Sequence, residues 1–217
     1  NAIHSDEDIR FLEDHDWSRP SYEFGNRLGV EMIIKSQEEF KLSLKRNWRR
    51  ALNKSNQVNY QIDRIFDHQI IVALNNELRE LKSLKKHNIF DASEVQSIVE
   101  SFKEQIIILG IKDDDNSYLA LRGAIIYQNK AYDIFAATGK IARNLSLSHA
   151  LFAALVEECR KKGCVKYDLG GIDPINGPGV YNFKMGTGAS KTRLIGEFEW
   201  SNNRLLSLLI NFFSRYR

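Results

Sequence analysis

Apolar residues recur in some stretches of this chain at every third or fourth position and in others at every second position. Strand-like segments lie within 22–34. Ser36 followed by Glu39 has the pattern of a capping box, which predicts a helix running to about Ser55. From Val58 to Phe66 apolar and polar residues alternate, which indicates a half-buried strand.

Two amphipathic helices are predicted next. The first places four apolar side chains on one face, at Ile71, Leu74, Leu78 and Leu81. The second begins at Asp91, a residue type that caps helix N-termini, and it has apolar residues at helical spacing, at Val95, Ile98 and Phe102.

After these helices the period changes to that of strands. Three strands are predicted at Ile106–Ile111, Tyr118–Tyr127 and Tyr132–Ala137, joined by short turns at 113–116 and 128–130. This order is typical of an antiparallel meander.

The last third of the chain mixes both periods. A helix is predicted from Ser146 or Ser148 to Lys162, stopped by Gly163, and a short strand follows at Cys164–Leu169. The remaining segments are a short helix around Val180–Met185, a strand at Thr192–Trp200 and an amphipathic segment at Arg204–Arg217. The whole order predicts a mixed α/β fold, in which a central, mostly antiparallel sheet is flanked by helices.

Composition favours one folded domain. The 217 residues are 43% apolar and include only 3 prolines, so the chain can bury one sizeable core. We predict an N-terminal tail at 1–20, with room for one helical stretch, and a single domain at 21–217. No run of 18 apolar residues predicts a transmembrane helix, and no signal peptide is evident. The chain begins without a methionine, which is compatible with a piece of a longer protein.

Charge and cysteine content exclude few classes of function by themselves. The net charge of +3 does not imply nucleic acid. Cys159 and Cys164 lack the spacing of a metal site and favour a reducing compartment. The histidines show no ligand spacing either, so no metal site is predicted.

The most unusual segment is rich in glycine and runs from 167 to 188. It contains six glycines, Gly170, Gly171, Gly177, Gly179, Gly186 and Gly188. Glycines at the carboxyl end of a strand let a ligand approach the backbone closely. A plain loop with tight turns has the same composition, and the pattern alone leaves both interpretations open.

This segment closely resembles the FemABX family. The resemblance rests on Tyr-Asp-Leu-Gly-Gly-Ile at 167–172, Gly-Val-Tyr-Asn-Phe-Lys at 179–184, a following Gly-x-Gly, and Gly196-Glu197 before the last strand. It also covers the region 36–59. The resemblance implies a single GNAT-like acyltransferase domain, similar to the second of the two such domains that family members usually contain. Those enzymes attach amino acids from aminoacyl-tRNA to peptidoglycan precursors.

Lys184 is the first candidate for a catalytic residue, because it matches the lysine that the family carries at its transfer site. When an amine attacks an acyl ester, negative charge develops on the carbonyl oxygen and then on the leaving oxygen. A fixed cation stabilises that transition state more than the ground state. It can equally hold a phosphate, and a solvated surface lysine is the plain alternative. The prediction requires the ammonium group to face a cleft.

Other residues of the same segment are candidates as well. Asp168 either accepts a proton from the attacking ammonium or caps the following loop by bonding backbone N–H groups, and capping is favoured. Candidate substrate-binding residues are Tyr167, Gly170, Gly171, Tyr181 and Phe183. For the two tyrosines, packing in the core or at the rim is the favoured alternative.

His149 lies at the start of a predicted helix, in the region where GNAT enzymes bind pyrophosphate. Enzymes that use CoA carry a loop with several glycines there, whereas this chain reads Gly-Lys-Ile-Ala-Arg-Asn-Leu-Ser at 139–146. That difference argues against CoA. Lys140 and Arg143 remain candidates for contact with a phosphate or an RNA backbone.

The helix predicted from Ser36 is basic. Its region carries seven cations, Lys35, Lys41, Lys45, Arg46, Arg49, Arg50 and Lys54. Arg49 and Arg50 are candidates for binding tRNA, a nucleotide-linked substrate or an anionic membrane, and a solvated helix face is the plain alternative. The segment at 205–213 is expected to dock on the core, with membrane association left open.

The sequence thus predicts a transferase that forms an amide on an amine of a cell-envelope precursor or sugar, with aminoacyl-tRNA as donor and no bound cofactor. One alternative keeps the fold but uses acyl-CoA, and another is a non-catalytic module that binds RNA or membrane. Expected partners include a nucleotide- or lipid-linked precursor, a membrane surface, and a second GNAT-like domain or a second copy of the chain. The expected location is the cytoplasm, at the periphery of the inner membrane face.

Overall fold

The computed structural model describes residues 3–20, 23, 25–82, 90–203, 209 and 212. The helices are α1 (Asp6–Asp14), α2 (Gln37–Ser43), α3 (Arg46–Ser55), α4 (His68–Lys82), α5 (Ala92–Ser101), α6 (Lys140–Asn144), α7 (Leu147–Lys161) and α8 (Pro178–Gly186). The strands are β1 (Leu28–Ile33), β2 (Gln61–Arg64), β3 (Ile106–Lys112), β4 (Tyr118–Tyr127), β5 (Lys130–Thr138), β6 (Lys166–Gly171) and β7 (Ser190–Arg193).

All seven strands form one sheet, in the order β2-β3-β4-β5-β6-β1-β7. Within the described ranges, neighbouring strands run antiparallel except β5 and β6, which are parallel. The predicted mixed α/β fold with a mostly antiparallel central sheet is therefore confirmed. The predicted meander is also confirmed, since β3, β4 and β5 pair in sequence order.

Two apolar cores cover the two faces of the sheet. On one face, α4 and α5 contribute Ile71, Leu74 and Val95, which pack against strand residues such as Leu121 and Phe135. The other face is covered by a larger cluster that includes Trp48 of α3 and Phe152 of α7. Because side chains alternate between the faces of a strand, Leu121 and its neighbour Arg122 face opposite cores.

The prediction of a single helix from Ser36 to about Ser55 is wrong, because this region forms two helices, α2 and α3. The capping box of Ser36 and Glu39 is present and starts α2. At Leu44 the backbone becomes extended (ψ 134°), and the Lys45 N–H donates to the carbonyl of Gly186 at 2.9 Å. A contact with a distant part of the chain thus replaces a hydrogen bond that a continuous helix would make.

The helices α4 and α5 agree with the prediction. Ile71 and Leu74 are buried, Leu78 is half-buried, and the side chain of Leu81 lies outside the described residues. Asp91 caps α5 by accepting the backbone N–H groups of Ser93 and Glu94. Its carboxylate therefore satisfies donors that the helix itself cannot.

Two strands are shorter than predicted. The strand predicted at Val58–Phe66 is reduced to β2, and the one predicted at Thr192–Trp200 is reduced to β7. Beyond β7 the described residues form isolated bridges with the N-terminal segment, Ile3 to Leu194 and Ser18 to Glu199.

The N-terminal segment contains α1, which accounts for the predicted helical stretch, while the division into tail and domain stays a prediction. The amphipathic segment predicted at 204–217 lies outside the described ranges except for 209 and 212. None of the helices in the described part of the chain is long and apolar enough to span a bilayer.

Candidate active site

The sheet opens between its two parallel strands. β5 and β6 pair only from Lys130 to Tyr132, opposite Lys166 to Asp168. Beyond these positions β5 continues beside β4 and β6 continues beside β1, so the two strands separate. A cavity of about 440 Å³, which we call the transfer cavity, is lined by residues of β4, β5, α4, α6, α7 and α8. They include Arg122, Asp133, Arg143, Ser148, Phe183 and Lys184.

Lys184 lines the transfer cavity from α8. Its ammonium group donates to the carbonyl oxygen of Gly171 at 2.8 Å. Burial lowers the pKa of Lys184 below its ordinary value, and the nearby carboxylate of Asp133 opposes that shift. The amine is thus partly desolvated and held at the edge of the cavity, which is the placement the sequence prediction required.

The glycines before Lys184 shape its surroundings. Gly170 has a φ of +74°, a conformation that glycine adopts without strain. A Cβ atom at this position would lie 3.8 Å from the Lys184 Nζ atom. Gly170 therefore borders the ammonium group, and Gly171 presents it with a backbone acceptor.

Asp168 holds this glycine turn in place. Its Oδ1 atom accepts the backbone N–H of Gly170 at 2.8 Å, and its Oδ2 atom lies 3.2 Å from Lys130 Nζ. Lys130 also pairs with Glu31. This geometry supports the capping interpretation, and a role in proton transfer stays a prediction.

A buried polar network forms part of the wall of the transfer cavity, and two of its members, Arg122 and Asp133, were not predicted from the sequence. The Arg122 guanidinium makes two hydrogen bonds to Asp133, at 3.0 and 2.8 Å, and the Tyr167 hydroxyl donates to Asp133 at 2.9 Å. The available signal was a charged residue between apolar neighbours in each of two strands, Arg122 in β4 and Asp133 in β5. Nothing in either strand showed that the two would pair.

Burial affects the ionisation of this network strongly. Desolvation opposes the charge of Arg122, but the contact with Asp133 outweighs it and raises the Arg122 pKa. Burial and the same carboxylate raise the pKa of Tyr167 well above its ordinary value. Tyr167 is fully buried, so its predicted contact with a substrate would have to run through Asp133.

Aromatic rings connect the network to α8. The Arg122 guanidinium lies 4.7 Å from the centre of the Phe152 ring and 4.8 Å from that of Phe183. Phe183 precedes Lys184 in the sequence and lines the transfer cavity. Stacking of a cation on this ring fixes the segment that carries the candidate lysine.

Two of the predicted residues lie at a different cavity. His149 and Tyr181 line an opening of about 620 Å³ beside the N-terminus of α3, which we call the α3 cavity. The His149 ring packs 4.7 Å from Trp48 and 5.1 Å from Phe183. Burial lowers the pKa of His149 below its ordinary value. His149 thus begins α7 as predicted but is packed among aromatic rings.

The remaining cations predicted to bind substrate lie in different environments. Arg143 lines the transfer cavity, whereas the exposed Lys140 does not. Arg49 donates to the carbonyls of Leu42 and Leu44, so it caps the end of α2. Arg50 is exposed. Neither Arg49 nor Arg50 lines the transfer cavity or the α3 cavity, and their role in binding stays a prediction.

In the described residues, no group of three or more histidine, cysteine, aspartate or glutamate side chains is arranged to hold a metal ion.

Comparisons with known proteins give one family match and several structural likenesses. The model of the FemAB family matches residues 67–215. A sequence search of curated proteins gives no match. Among solved structures, FemX superposes with a TM-score of 0.79 at 16% identity, over 95% of this chain and 71% of that one.

Two further solved structures superpose over nearly the whole chain. L-PGS from Bacillus licheniformis has a TM-score of 0.57 at 14% identity and covers 100% of this chain and 73% of its own. The C-terminal domain of a putative lysylphosphatidylglycerol synthetase from Agrobacterium fabrum has a TM-score of 0.58 at 14% identity, over 99% and 70%. These likenesses show that the chain shares its fold with these proteins.

Proposed function

This chain belongs to the FemAB family and is an acyltransferase, and from that premise we propose that it transfers an aminoacyl group to an amine of a cell-envelope precursor. The donor is aminoacyl-tRNA, and the acceptor is a nucleotide- or lipid-linked precursor. The reaction takes place in the cytoplasm, with the acceptor supplied in solution or at the inner membrane face.

One observation carries the proposal. Lys184 places a partly buried ammonium group at the wall of the transfer cavity, where its one described hydrogen bond is to the neutral Gly171 carbonyl. An ammonium group with one neutral acceptor retains two N–H donors for a ligand. Because the site is partly desolvated, those donors interact with a developing negative charge more strongly than they would in bulk water.

The chemistry follows from this placement. The acceptor amine attacks the carbonyl carbon of the donor ester, and negative charge collects on the carbonyl oxygen. Lys184 donates a hydrogen bond to that oxygen or to the leaving oxygen. The new C–N bond forms, the ester C–O bond breaks, and the proton lost by the amine balances the proton gained by the leaving hydroxyl.

The other residues of the site have supporting roles in this proposal. Asp168 fixes the Gly170 turn, and the Arg122–Asp133 pair fixes the ring of Phe183 next to Lys184. Arg143, at the same cavity, supplies a second positive charge for an anionic part of a substrate. The acceptor groove is completed by a second GNAT-like domain or by a second copy of the chain.

The donor can be tested directly. The purified chain would be incubated with a nucleotide-linked peptidoglycan precursor and either radiolabelled aminoacyl-tRNA or radiolabelled acyl-CoA. We expect label to pass to the precursor from the RNA donor only. Transfer from acyl-CoA alone would show that acyl-CoA is the donor. Salt-sensitive RNA binding without any transfer would show that the chain is a binding module and not an enzyme.

Lys184→Ala is the informative variant in that assay. We expect it to fold normally and to lose at least two orders of magnitude in rate, as when a donor to an oxyanion is removed. Lys162→Ala, which removes an exposed cation at the end of α7, is the matched control and should retain full activity. Equal rates for the two variants would exclude the role of Lys184.

A further inference from the structure

A bulge in β5 brings Asp133 to the face of the sheet on which Arg122 lies. Two consecutive residues of β4 pair with Phe135 and with Asp133, so Ile134 is an extra residue in β5. Side chains alternate between the faces of a strand, and an extra residue reverses that alternation beyond it. Without the bulge, the Asp133 carboxylate would lie on the α4 and α5 face. The ion pair of Arg122 and Asp133 therefore depends on a strand irregularity at the wall of the transfer cavity.

Asp133 uses only one edge of the Arg122 guanidinium. The Nε and Nη2 atoms donate to its two carboxylate oxygens at 3.0 and 2.8 Å. A guanidinium has five N–H donors, so three are left, two on Nη1 and one on Nη2. At the end of the group, one N–H from each of these two nitrogens points in the same direction. This free end is a two-pronged donor, and it has no acceptor among the described residues.

The free end of Arg122 is open to the transfer cavity. Its side chain is only 8% exposed and lines this cavity. Among the fully covered side-chain nitrogens and oxygens of the described residues, the Trp48 indole nitrogen alone lacks a hydrogen-bond partner. Because Nη1 of Arg122 has no partner and is not such a covered atom, solvent reaches it. The residue opposite Arg122 on β5 is Ala136, whose small, exposed side chain lines the same cavity and leaves the approach open.

The transfer cavity carries an excess of positive charge. Arg122, Arg143 and Lys184 line it, and Asp133 is the one acidic residue in its described lining. Arg122 and the Tyr167 hydroxyl already occupy the Asp133 carboxylate. Burial lowers the pKa of Lys184, the Asp133 carboxylate opposes that shift, and the positive charge of Arg122 adds to it. The two cations thus lie close enough to repel each other, and an anion bound in the cavity would be attracted by both.

We propose that the free end of Arg122 binds a carboxylate of the acceptor substrate, so that the acceptor is an amino-acid unit with a carboxylate close to the amine that is acylated. The two coplanar oxygens of a carboxylate match the two parallel N–H groups of a guanidinium. The proposal rests on the proposed function, because that function supplies the acceptor amine and the reaction at Lys184.

The geometry of the site favours a carboxylate over a phosphate. The ring centres of Phe152 and Phe183 lie 4.7 and 4.8 Å from the guanidinium carbon of Arg122. Between such neighbours a planar group needs little room, whereas a tetrahedral phosphate projects oxygens to both sides of any plane. The donor cannot supply the carboxylate, because its reacting carboxyl group is esterified and its amine is cationic. The carboxylate therefore belongs to the acceptor.

Binding can be measured without any transfer reaction. Acetate would be titrated into the ¹⁵N-labelled chain while the Nε–H resonance of Arg122 and the backbone amides of Phe183 and Lys184 are followed. Acetamide, which has a similar shape and no charge, is the matched control ligand. We expect saturable shifts with acetate and none with acetamide. An Arg122 resonance that acetate leaves unchanged would overturn the proposal, and so would tighter binding of dimethyl phosphate, a tetrahedral anion of the same charge.

Arg122→Lys tests the two-pronged donor itself. Lysine keeps a cation beside Asp133 but lacks the two parallel N–H groups. We expect acetate to bind about tenfold more weakly, judged from the Phe183 and Lys184 amides. Arg160→Lys makes the same change at an exposed arginine in the last turn of α7, and it should bind as the unchanged chain does. Equal binding by all three proteins would contradict the assignment. The Arg122 resonance of the unchanged chain decides the question even where Arg122→Lys does not fold.

The choice of acceptor gives a second test. Two acceptor peptides would be compared, one with a carboxylate beside its amine and one with the corresponding carboxamide. We expect the unchanged chain to prefer the carboxylate about tenfold in kcat/KM, and Arg122→Lys to lose most of that preference. Equal use of both peptides would remove carboxylate recognition and leave the role of Lys184 intact. Saturable acetate binding by a chain that transfers no acyl group would instead support this site and remove the proposed function.

Discussion

The two faces of the central sheet use the same strands for different purposes. On the α4 and α5 face, Ile71 and Val95 are completely buried in an apolar cluster. On the α7 and α8 face, the buried set includes the ion pair of Arg122 and Asp133, and Lys184 lies next to it. Apolar packing requires only burial, whereas buried charges require defined partners. The charged groups whose burial costs free energy are therefore concentrated on the face that holds the candidate active site.

The largest effect on stability is expected from Arg122→Met. The substitution removes one partner of a buried ion pair and leaves the Asp133 carboxylate without its countercharge. We expect a loss of about 3–5 kcal/mol in the free energy of unfolding, measured with a chemical denaturant. The double variant Arg122→Met/Asp133→Asn should recover part of it. A loss below about 1 kcal/mol would mean that the network is not needed for stability.

Ile71→Ala tests the opposite face. Ile71 is fully buried, so the truncation leaves a cavity, and we expect unfolding to become easier by about 2–5 kcal/mol. Because Ile71 itself does not line the transfer cavity, the transfer rate per folded molecule should not change. A rate that falls together with stability would show that the two faces do not act separately.

Two variants of Asp168 distinguish a role in capping from a role in proton transfer. Asp168→Ala removes the acceptor for the Gly170 N–H, and we expect a cost of about 1.5–3 kcal/mol in stability together with a lower transfer rate. Asp168→Asn keeps an oxygen acceptor and should retain most of the activity, with an unchanged pH profile. An inactive but stable Asn variant would instead assign proton transfer to this carboxylate.

His149 gives the smallest expected effect, and it depends on pH. Burial holds the pKa of His149 below the ordinary value of 6.5, so the unfolded chain takes up a proton before the folded chain does. Stability should therefore rise with pH from the folded-state pKa up to 6.5 and level off above it. Each unit of difference between the two pKa values contributes about 1.4 kcal/mol.

His149→Gln should remove this slope, which denaturant unfolding at several pH values would show. An identical slope in the variant would assign it to another group.

Much of the fold could be predicted from local patterns, and the exceptions have a common cause. The period of apolar residues located the meander of β3, β4 and β5 and the helices α4, α5 and α7. The same period ran without interruption through Phe40, Leu44 and Trp48, so it could not show the break between α2 and α3. That break depends on the Gly186 carbonyl, which is far away in the sequence.

The candidate site was predicted to a similar extent. The family motif located Lys184 and the Gly170 turn, because those residues are contiguous with the motif. Arg122 and Asp133 were missed, because an isolated charge in an apolar strand does not reveal its partner on the neighbouring strand. His149 and Tyr181 belong to the α3 cavity and not to the transfer cavity, and only the path of α8 between the two separates them.

The central claim is that the Lys184 ammonium stabilises the transition state of acyl transfer. The most direct test is the single-turnover rate of Lys184→Met with the donor already bound, together with the dissociation constant of the donor. We expect the rate to fall by about 10²–10³-fold while the dissociation constant stays nearly unchanged. A rate close to that of the unchanged chain, or a loss confined to donor binding, would contradict the claim.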